Sequence, residues 1–285
     1  MKIFLKKKLL KTMKIQYISF LLIFFIACQD VKEETDDFDD SGFIAVETKK
    51  HLRVVEKIFA NMPSHKEMLS FVKGTGEIYN DTILNNTKNI SNYFSNYKKA
   101  VNLGTYGADI SYSRMYDQLQ VSMNYLIVIQ KLTKEIGIPE KITASAIERL
   151  QNNLNDQDSV LIIVKETYRT TDKFLKENER GSTASLIIFG GWMETFYIAI
   201  RLFDEKNPNS VILEKIINQK QSLYNLYELL LFYKEEPEVE KYLKDLKILM
   251  KKFGSISNDE KLEEKIKKVS DIKKLISEIR TKIVK

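Results

Sequence analysis

The chain has 285 residues, of which 44% are hydrophobic and 29% charged, with only four prolines and ten glycines. This composition is that of a globular protein able to bury a sizeable core, and it excludes a collagen-like or low-complexity chain. The net charge is +6, but six lysines lie in residues 1–27, and beyond them 39 basic residues balance 39 acidic ones. Nucleic-acid binding needs a local excess of cations, so we expect no nucleic-acid partner.

Residues 1–27 have the organisation of a bacterial signal peptide. A lysine-rich start precedes an apolar stretch at residues 15–27, which would span about 20 Å as a helix at roughly 1.5 Å per residue. A bilayer core needs about 20 residues, so this stretch is short for a permanent span. Met13 is an alternative start that would give a shorter basic region.

The apolar stretch ends in Phe25-Ile26-Ala27-Cys28, which resembles the lipobox of bacterial lipoproteins. The resemblance implies cleavage before Cys28, which would then be diacylated and N-acylated with fatty acids such as palmitate. Several acyl chains are enough for stable anchoring in a membrane. The other interpretation is a free thiol that happens to follow an apolar run, since Cys28 is the only cysteine in the chain.

Residues 28–46 are predicted to be a disordered tether. Residues 29–41 contain seven acidic residues and one lysine, and such like-charge crowding prevents a packed core. Gln29 and the acids resemble the export signal of surface lipoproteins in Bacteroidota, and a periplasmic spacer is the alternative. By resemblance to the enterobacterial sorting rule, Gln29 argues against inner-membrane retention. We therefore expect an outer-membrane anchor, facing either the periplasm or the cell surface.

Residues 47–285 are predicted to form a single all-helical domain. Apolar residues recur there at spacings of three and four, the period of amphipathic helices, without strict alternation or hairpin turns. The pattern predicts an all-α fold of about nine helices, either a multi-helix bundle or a short helical-hairpin solenoid.

Stop and start signals place the helices along the chain. A capping-box pattern occupies residues 64–67. Five further helices are predicted: from about Thr105 to Gly137, from Asn155 or Asp156 to about Asn178, from Ser182 to Phe203, from residues 207–209 to about Tyr233, and from Pro237 to about Gly254. An apolar stripe from Leu262 to Ile283 predicts the last helix.

Metal and cofactor chemistry finds little support in the sequence. The only histidines are His51 and His65, and no cysteine pair, phosphate-binding loop or nucleophilic-serine motif occurs. The acidic stretch at residues 155–158 lacks the glycine and terminal glutamate of a calcium loop, and helix capping explains it better. We expect no metal and no cofactor.

The final 35 residues, 251–285, contain 11 basic and six acidic residues. A basic helix can bind an anionic surface, but a solvated face is the commoner arrangement.

Two stretches carry residues that could form a ligand pocket. In the first, four residues at spacings of three and four would share one helix face: Tyr106, Asp109, Tyr112 and Tyr116. In the second, Gly190-Gly191 interrupts an apolar helix and is followed by Trp192 and Glu194. Each glycine costs about 1 kcal/mol relative to alanine, which close helix packing or an approaching ligand must offset. Both interpretations, packing and a pocket, stay open.

These segments also resemble motifs of an uncharacterised all-helical lipoprotein family of Bacteroidota, a domain of unknown function. The matching stretches are residues 103–113, 152–159, 190–199 and 218–220. The resemblance covers roughly residues 50–250 and implies an all-α envelope lipoprotein, without any activity.

The sequence thus favours a non-enzymatic module that binds a ligand or a partner protein, or acts as a scaffold, on the envelope. One alternative is a carboxylate-dependent, glycan-acting enzyme, which would need two acids about 5–10 Å apart in a cleft; Asp109 and Glu194 are the candidate pair. Another alternative is a purely structural envelope component.

Overall fold

The computed structural model describes residues 53–57, 78–153, 156–206, 208 and 210–285. The predicted signal peptide, Cys28, the acidic tether, the predicted capping box at 64–67 and both histidines lie outside these residues. The described residues contain helices and turns but no strand, which confirms the predicted all-α class.

Nine α-helices of eight or more residues occur in the described part of the chain, numbered here in order: α1 Asn96–Met115, α2 Leu119–Glu135, α3 Glu140–Asn152, α4 Gln157–Glu177, α5 Gly181–Arg201, α6 Ser210–Ile217, α7 Lys220–Leu231, α8 Pro237–Gly254 and α9 Leu262–Val284. Residues 53–57 are also helical. Two 3-10 helices, Asp81–Ile83 and Thr87–Asn92, precede α1.

The predicted helix from Thr105 to Gly137 is wrong, because two helices occupy this stretch. The first begins earlier, where the Ser95 hydroxyl accepts a hydrogen bond from the Lys98 N–H at 3.1 Å. It ends at a turn in which Asp117 has a left-handed backbone, with φ of +58°. Apolar spacing continues across this turn, so periodicity alone did not reveal it.

The predicted helix ending near Tyr233 also divides in two, α6 and α7, at residues 218–219. Other boundaries agree with the sequence signals. Asp156 caps α4 by accepting from the Ser159 N–H at 3.2 Å, and Pro237 occupies the first turn of α8.

Helix α5 lies at the centre of the fold. It packs most extensively against α1, and also against α4, α7 and α9. The contacts with α1 and α9 join helices far apart in the sequence, which is the arrangement of a bundle, whereas a solenoid stacks sequence neighbours. Among the described helices, α5 alone is long and apolar enough to cross a membrane, but two-thirds of it is buried inside the fold, as expected of a core helix.

The glycines explain how closely α1 and α5 approach. A Cβ atom added at Gly190 would lie 1.8 Å from the backbone oxygen of Val101, and one added at Gly104 would lie 1.9 Å from that of Ile187. No side chain fits at these positions. The backbones of the two helices are therefore in direct contact, and this contact accounts for Gly190, whereas a Cβ at Gly191 would come no closer than 3.4 Å to its neighbours.

The end of α9 is held by side chains from the start of α1. Lys98 Nζ donates to the carbonyls of Lys282 and Ile283, and Asn102 Nδ2 donates to the Ile283 carbonyl at 2.9 Å. These are carbonyls that a helix end leaves without partners. The bonds fix the last turn of α9 against α1.

The basic residues of α9 meet acids from other parts of the fold. Lys282 pairs with Asp245 of α8 at 2.8 Å, and Lys265 lies 3.6 Å from Glu214 of α6. The excess of lysine in residues 251–285 is thus balanced locally, which favours the solvated-face interpretation.

Candidate functional site

The two acids singled out in the sequence lie side by side. Asp109 on α1 and Glu194 on α5 follow the glycine contact by about one turn, and their side chains are 0% and 1% exposed. Their carboxyl groups are within hydrogen-bonding reach of each other. Two carboxyl groups this close cannot both be ionised without strong repulsion.

Arg280 of α9 supplies the positive charge. Its Nε donates to Glu194 Oε2 at 3.0 Å and its Nη2 to Oε1 at 2.9 Å. This two-point geometry is the strongest that an arginine and a carboxylate can form. The guanidinium also stacks on the Tyr197 ring, 4.8 Å from its centroid. Arg280 thereby favours the ionised form of Glu194.

The geometry favours Asp109 as the protonated member of the pair. Burial raises the pKa of Asp109 well above its usual range, and the neighbouring Glu194 raises it further. Asp109 Oδ1 is buried and meets no nitrogen or hydroxyl donor among the described residues, as expected if this oxygen is itself protonated and donates to Glu194. Burial also raises the pKa of Glu194, but the Arg280 guanidinium opposes that rise.

A short segment that precedes α1, residues 80–92, covers these groups; we call it the strap. The Asn85 N–H donates to Asp109 Oδ2 at 3.2 Å. Arg280 Nη2 donates to the Ile83 carbonyl at 3.3 Å, and the Tyr106 hydroxyl donates to the Asn86 carbonyl at 3.0 Å. The bundle therefore binds the strap through its backbone.

The Asn85 side chain is completely buried. Its amide nitrogen donates to Asn102 Oδ1 at 3.1 Å and to the Tyr93 hydroxyl at 3.0 Å. Its amide oxygen accepts from Asn89 Nδ2 at 2.8 Å. Such a buried amide is stable because both of its polar atoms have partners.

The predicted tyrosines divide between two places. Tyr106 lies under the strap, where burial raises the pKa of its hydroxyl far above the ordinary value. Tyr112 and Tyr116 instead stack with Tyr79, at ring-centroid distances of 5.0 to 5.6 Å. The Tyr112 hydroxyl accepts from the Asn80 N–H at 3.3 Å, so this second group holds the beginning of the strap.

Trp192 belongs to another cluster. Its ring stacks on Phe196 at 5.2 Å, and Phe196 in turn contacts Phe253 of α8 at 5.8 Å. It is half-buried, whereas Glu194 on the same helix is fully buried. Of the six residues predicted to line a pocket, the structure thus brings Tyr106, Asp109 and Glu194 together and places Trp192 elsewhere.

Sequence reasoning missed Arg280, Asn85 and Asn102. A signal for Arg280 was present, because it is the only arginine among ten lysines in residues 251–285. Arginine is preferred over lysine where two-point binding of a carboxylate is needed. No comparable signal marks Asn85, since asparagines are frequent in residues 80–92.

The site as a whole is closed and internally bonded. An open groove of about 360 Å³ lies between the end of α5 and α9, and none of the six predicted pocket residues lines it. Among the described residues, no group of three or more histidine, cysteine, aspartate or glutamate residues is placed to hold a metal ion. The Asp109–Glu194 pair can hold and exchange a proton, and both side chains are buried within the fold.

No family model, curated protein or solved structure matches this chain.

Proposed function

We propose that this chain is a lipid-anchored protein of the bacterial cell envelope whose helical body is a non-enzymatic binding or scaffold module. The anchor is the acylated Cys28, and the outer membrane is the favoured location, with the body facing the periplasm or the cell surface. We further propose membership of the uncharacterised all-helical lipoprotein family of Bacteroidota that its sequence motifs resemble.

The anchor rests on the order of features at the start of the chain. Lysines, a short apolar stretch and a single cysteine follow one another, and an acidic stretch comes next. The rest of the sequence is electrically balanced, so attraction to an anionic lipid surface would contribute little. Covalent acyl chains would then provide the membrane affinity.

One observation carries the non-enzymatic assignment: both candidate acids are buried and bonded within the protein. Glu194 is held by Arg280 through two hydrogen bonds, and Asp109 accepts the N–H of Asn85. A glycan hydrolase needs two acids that face a substrate cleft. Acids enclosed beneath a segment of the same chain serve a structural or binding role more readily than a hydrolytic one.

A carboxylate-dependent, glycan-acting enzyme is the second candidate. The raised pKa of Asp109 beside the arginine-bound Glu194 is the observation that favours it, because such enzymes use one protonated and one ionised carboxyl. This activity would require the strap to move away before a glycan could enter.

The two candidate functions predict different outcomes when the full chain is incubated with glycans. We expect no product when the purified protein is incubated with peptidoglycan fragments or chromogenic glycosides. Product that forms with the wild type and is lost in both Asp109→Asn and Glu194→Gln would overturn the non-enzymatic assignment.

Lipidation has its own test. Cells that express the chain are fed an alkyne-labelled fatty acid, and the protein is isolated and coupled to a fluorophore. Label is expected on the wild type and not on Cys28→Ser. Equal labelling of the two, or none on the wild type, would contradict an anchor at Cys28.

A further inference from the structure

We propose that the bundle beneath the strap is a peptide-binding site, which the chain's own residues 83–86 occupy. The ligand class is a short peptide that presents two apolar side chains followed by an asparagine, with its backbone extended after the first of these residues. The inference rests on the proposed function as a binding module and names the partner's chemistry.

The contacts across the strap are those of peptide recognition. Arg280 binds one carbonyl, Asp109 accepts one N–H, and Tyr106 binds a second carbonyl, within four consecutive residues of the strap. Contacts that alternate between the carbonyl and N–H groups of a peptide bind its backbone whatever its side chains are. They come from α1 and α9, elements that are already held in place by the α5 core and by the α9 end contacts.

The backbone of the bound segment has the shape that such a site requires. Leu84 has φ and ψ of −82° and 160°, and Asn86 has −62° and 131°. Both conformations are extended. Ile83 ends the three-residue 3-10 helix that precedes this extended stretch, and the six-residue 3-10 helix Thr87–Asn92 follows it, so the bound stretch is independent of the long helices.

Side-chain selectivity comes from burial. Ile83, Leu84 and Asn85 are 4%, 6% and 0% exposed. The apolar surroundings favour apolar side chains at the positions of Ile83 and Leu84. At the position of Asn85, Asn102 Oδ1 accepts a hydrogen bond from the side-chain amide nitrogen at 3.1 Å. A peptide that lacks the asparagine would leave the Asn102 oxygen without that donor in a buried site, which is the usual origin of strong discrimination.

The acids under the strap also fit a binding site. The completely buried Asp109 accepts the peptide N–H of Asn85 at its Oδ2, at 3.2 Å. Burying two acids and an arginine costs free energy, and packing alone does not require charged groups. In a peptide-binding site, Asp109 and Arg280 bind the peptide backbone, and Glu194 holds Arg280 in place.

The test uses two fluorescent peptides and three forms of the full chain. One peptide has the sequence of residues 80–90, and the other carries the Asn85→Ala change. The proteins are the wild type, Asn85→Ala, which weakens its own strap, and the matched control Asn92→Ala, which changes an exposed asparagine of the same strap.

We expect Asn85→Ala protein to bind the unchanged peptide at least tenfold more tightly than the wild type does, because its own strap competes less. It should prefer that peptide at least tenfold over the altered one, and Asn92→Ala protein should behave like the wild type. A folded Asn85→Ala protein that binds neither peptide, or both equally, would overturn the inference. The anchored, non-enzymatic module would still stand, because glycan turnover and fatty-acid labelling test it separately.

Hydrogen exchange on the wild type covers the case in which Asn85→Ala does not fold. We expect the Asn85 amide to exchange at least tenfold faster than the buried amides of α5, and excess peptide to speed it further by holding the strap open. Exchange as slow as that of α5, with no response to peptide, would show that the site never opens and would overturn the inference.

Discussion

Helices α1 and α5 meet in two different ways within little more than one helical turn. At Gly104 and Gly190 backbone touches backbone, and a single added carbon has no room. At Asp109 and Glu194 the contact is made by two carboxyl groups, one of which is bound by Arg280. The first contact sets the distance between the helices, and the second results from it, because helices this close bring the two acids within reach.

The glycine contact should give the largest effect. We expect Gly190→Ala to lower the free energy of unfolding by about 3 kcal/mol or more, since the new carbon would lie 1.8 Å from the Val101 carbonyl and must push the helices apart. Urea unfolding followed by circular dichroism measures the change.

Gly107→Ala on α1 is the matched control, because a Cβ there has no atom within 4 Å. It should raise stability by about 0.5–1 kcal/mol, as alanine is the better helix former. A Gly190→Ala protein as stable as the wild type would contradict the steric account of the α1–α5 contact.

The arginine-bound acid should give the next effect. Glu194→Gln leaves the largely buried Arg280 without its anion, and breaking a buried ion pair in this way typically costs about 3 kcal/mol. Glu240→Gln is the control, because it breaks an exposed pair with Lys244 and should leave the urea midpoint unchanged. Equal effects of the two changes would show that Glu194 is not held as an ionised group.

Replacing the protonated acid should have a small effect that depends on pH. Asp109→Asn keeps a neutral donor beside Glu194, so we expect stability within about 1 kcal/mol of the wild type near pH 5. The pKa of Asp109 is raised in the folded protein, so its proton stabilises the fold at low pH. That contribution falls as pH rises from the unfolded value, about 4, through the folded value.

The difference in unfolding free energy between wild type and Asp109→Asn should therefore shift in favour of the variant between pH 5 and pH 8. The groups that face Asp109 do not obscure this comparison. Arg280 and the tyrosines at 79, 93, 106 and 125 all have pKa values raised above their ordinary ones, so they stay protonated between pH 5 and pH 8. The pKa of Glu194 is also raised, so its contribution to stability changes with pH in the same direction as that of Asp109. Parallel pH profiles for the two proteins would show that Asp109 titrates normally.

The turn between α4 and α5 lies away from both contacts and should give the smallest effect. Glu179 there has φ of +57°, a conformation that costs a residue with a side chain about 1 kcal/mol. Glu179→Gly should stabilise the protein by up to about 1 kcal/mol, whereas Lys173→Gly, within α4, should destabilise it by a similar amount. Thermal unfolding of both variants checks the opposite signs.

Local signals predicted the helices and part of the site. Apolar spacing indicated the bundle, and the cost of a glycine pair within a helix marked residues 190–191 before their neighbour was known. Periodicity could not reveal the turn at Asp117, because the apolar spacing continues on both sides of it.

The remaining site residues depend on contacts distant in sequence. Arg280 reaches an acid 86 positions earlier and a carbonyl 197 positions earlier, and Asn85 reaches Asp109 across 24 positions. These pairings exist only once α1, α5 and α9 have assembled. A single sequence therefore indicated that Asp109 and Glu194 were unusual, but neither their arginine nor the strap that covers them.

The central claim is that α1 and α5 hold a protonated Asp109 against an ionised Glu194. The most direct measurement is a carbon-13 NMR titration of the Asp109 carboxyl in the full chain, assigned by comparison with Asp109→Asn. The account predicts that this resonance titrates well above the ordinary range of an aspartate. An Asp109 carboxyl that is fully ionised at pH 5 would contradict it.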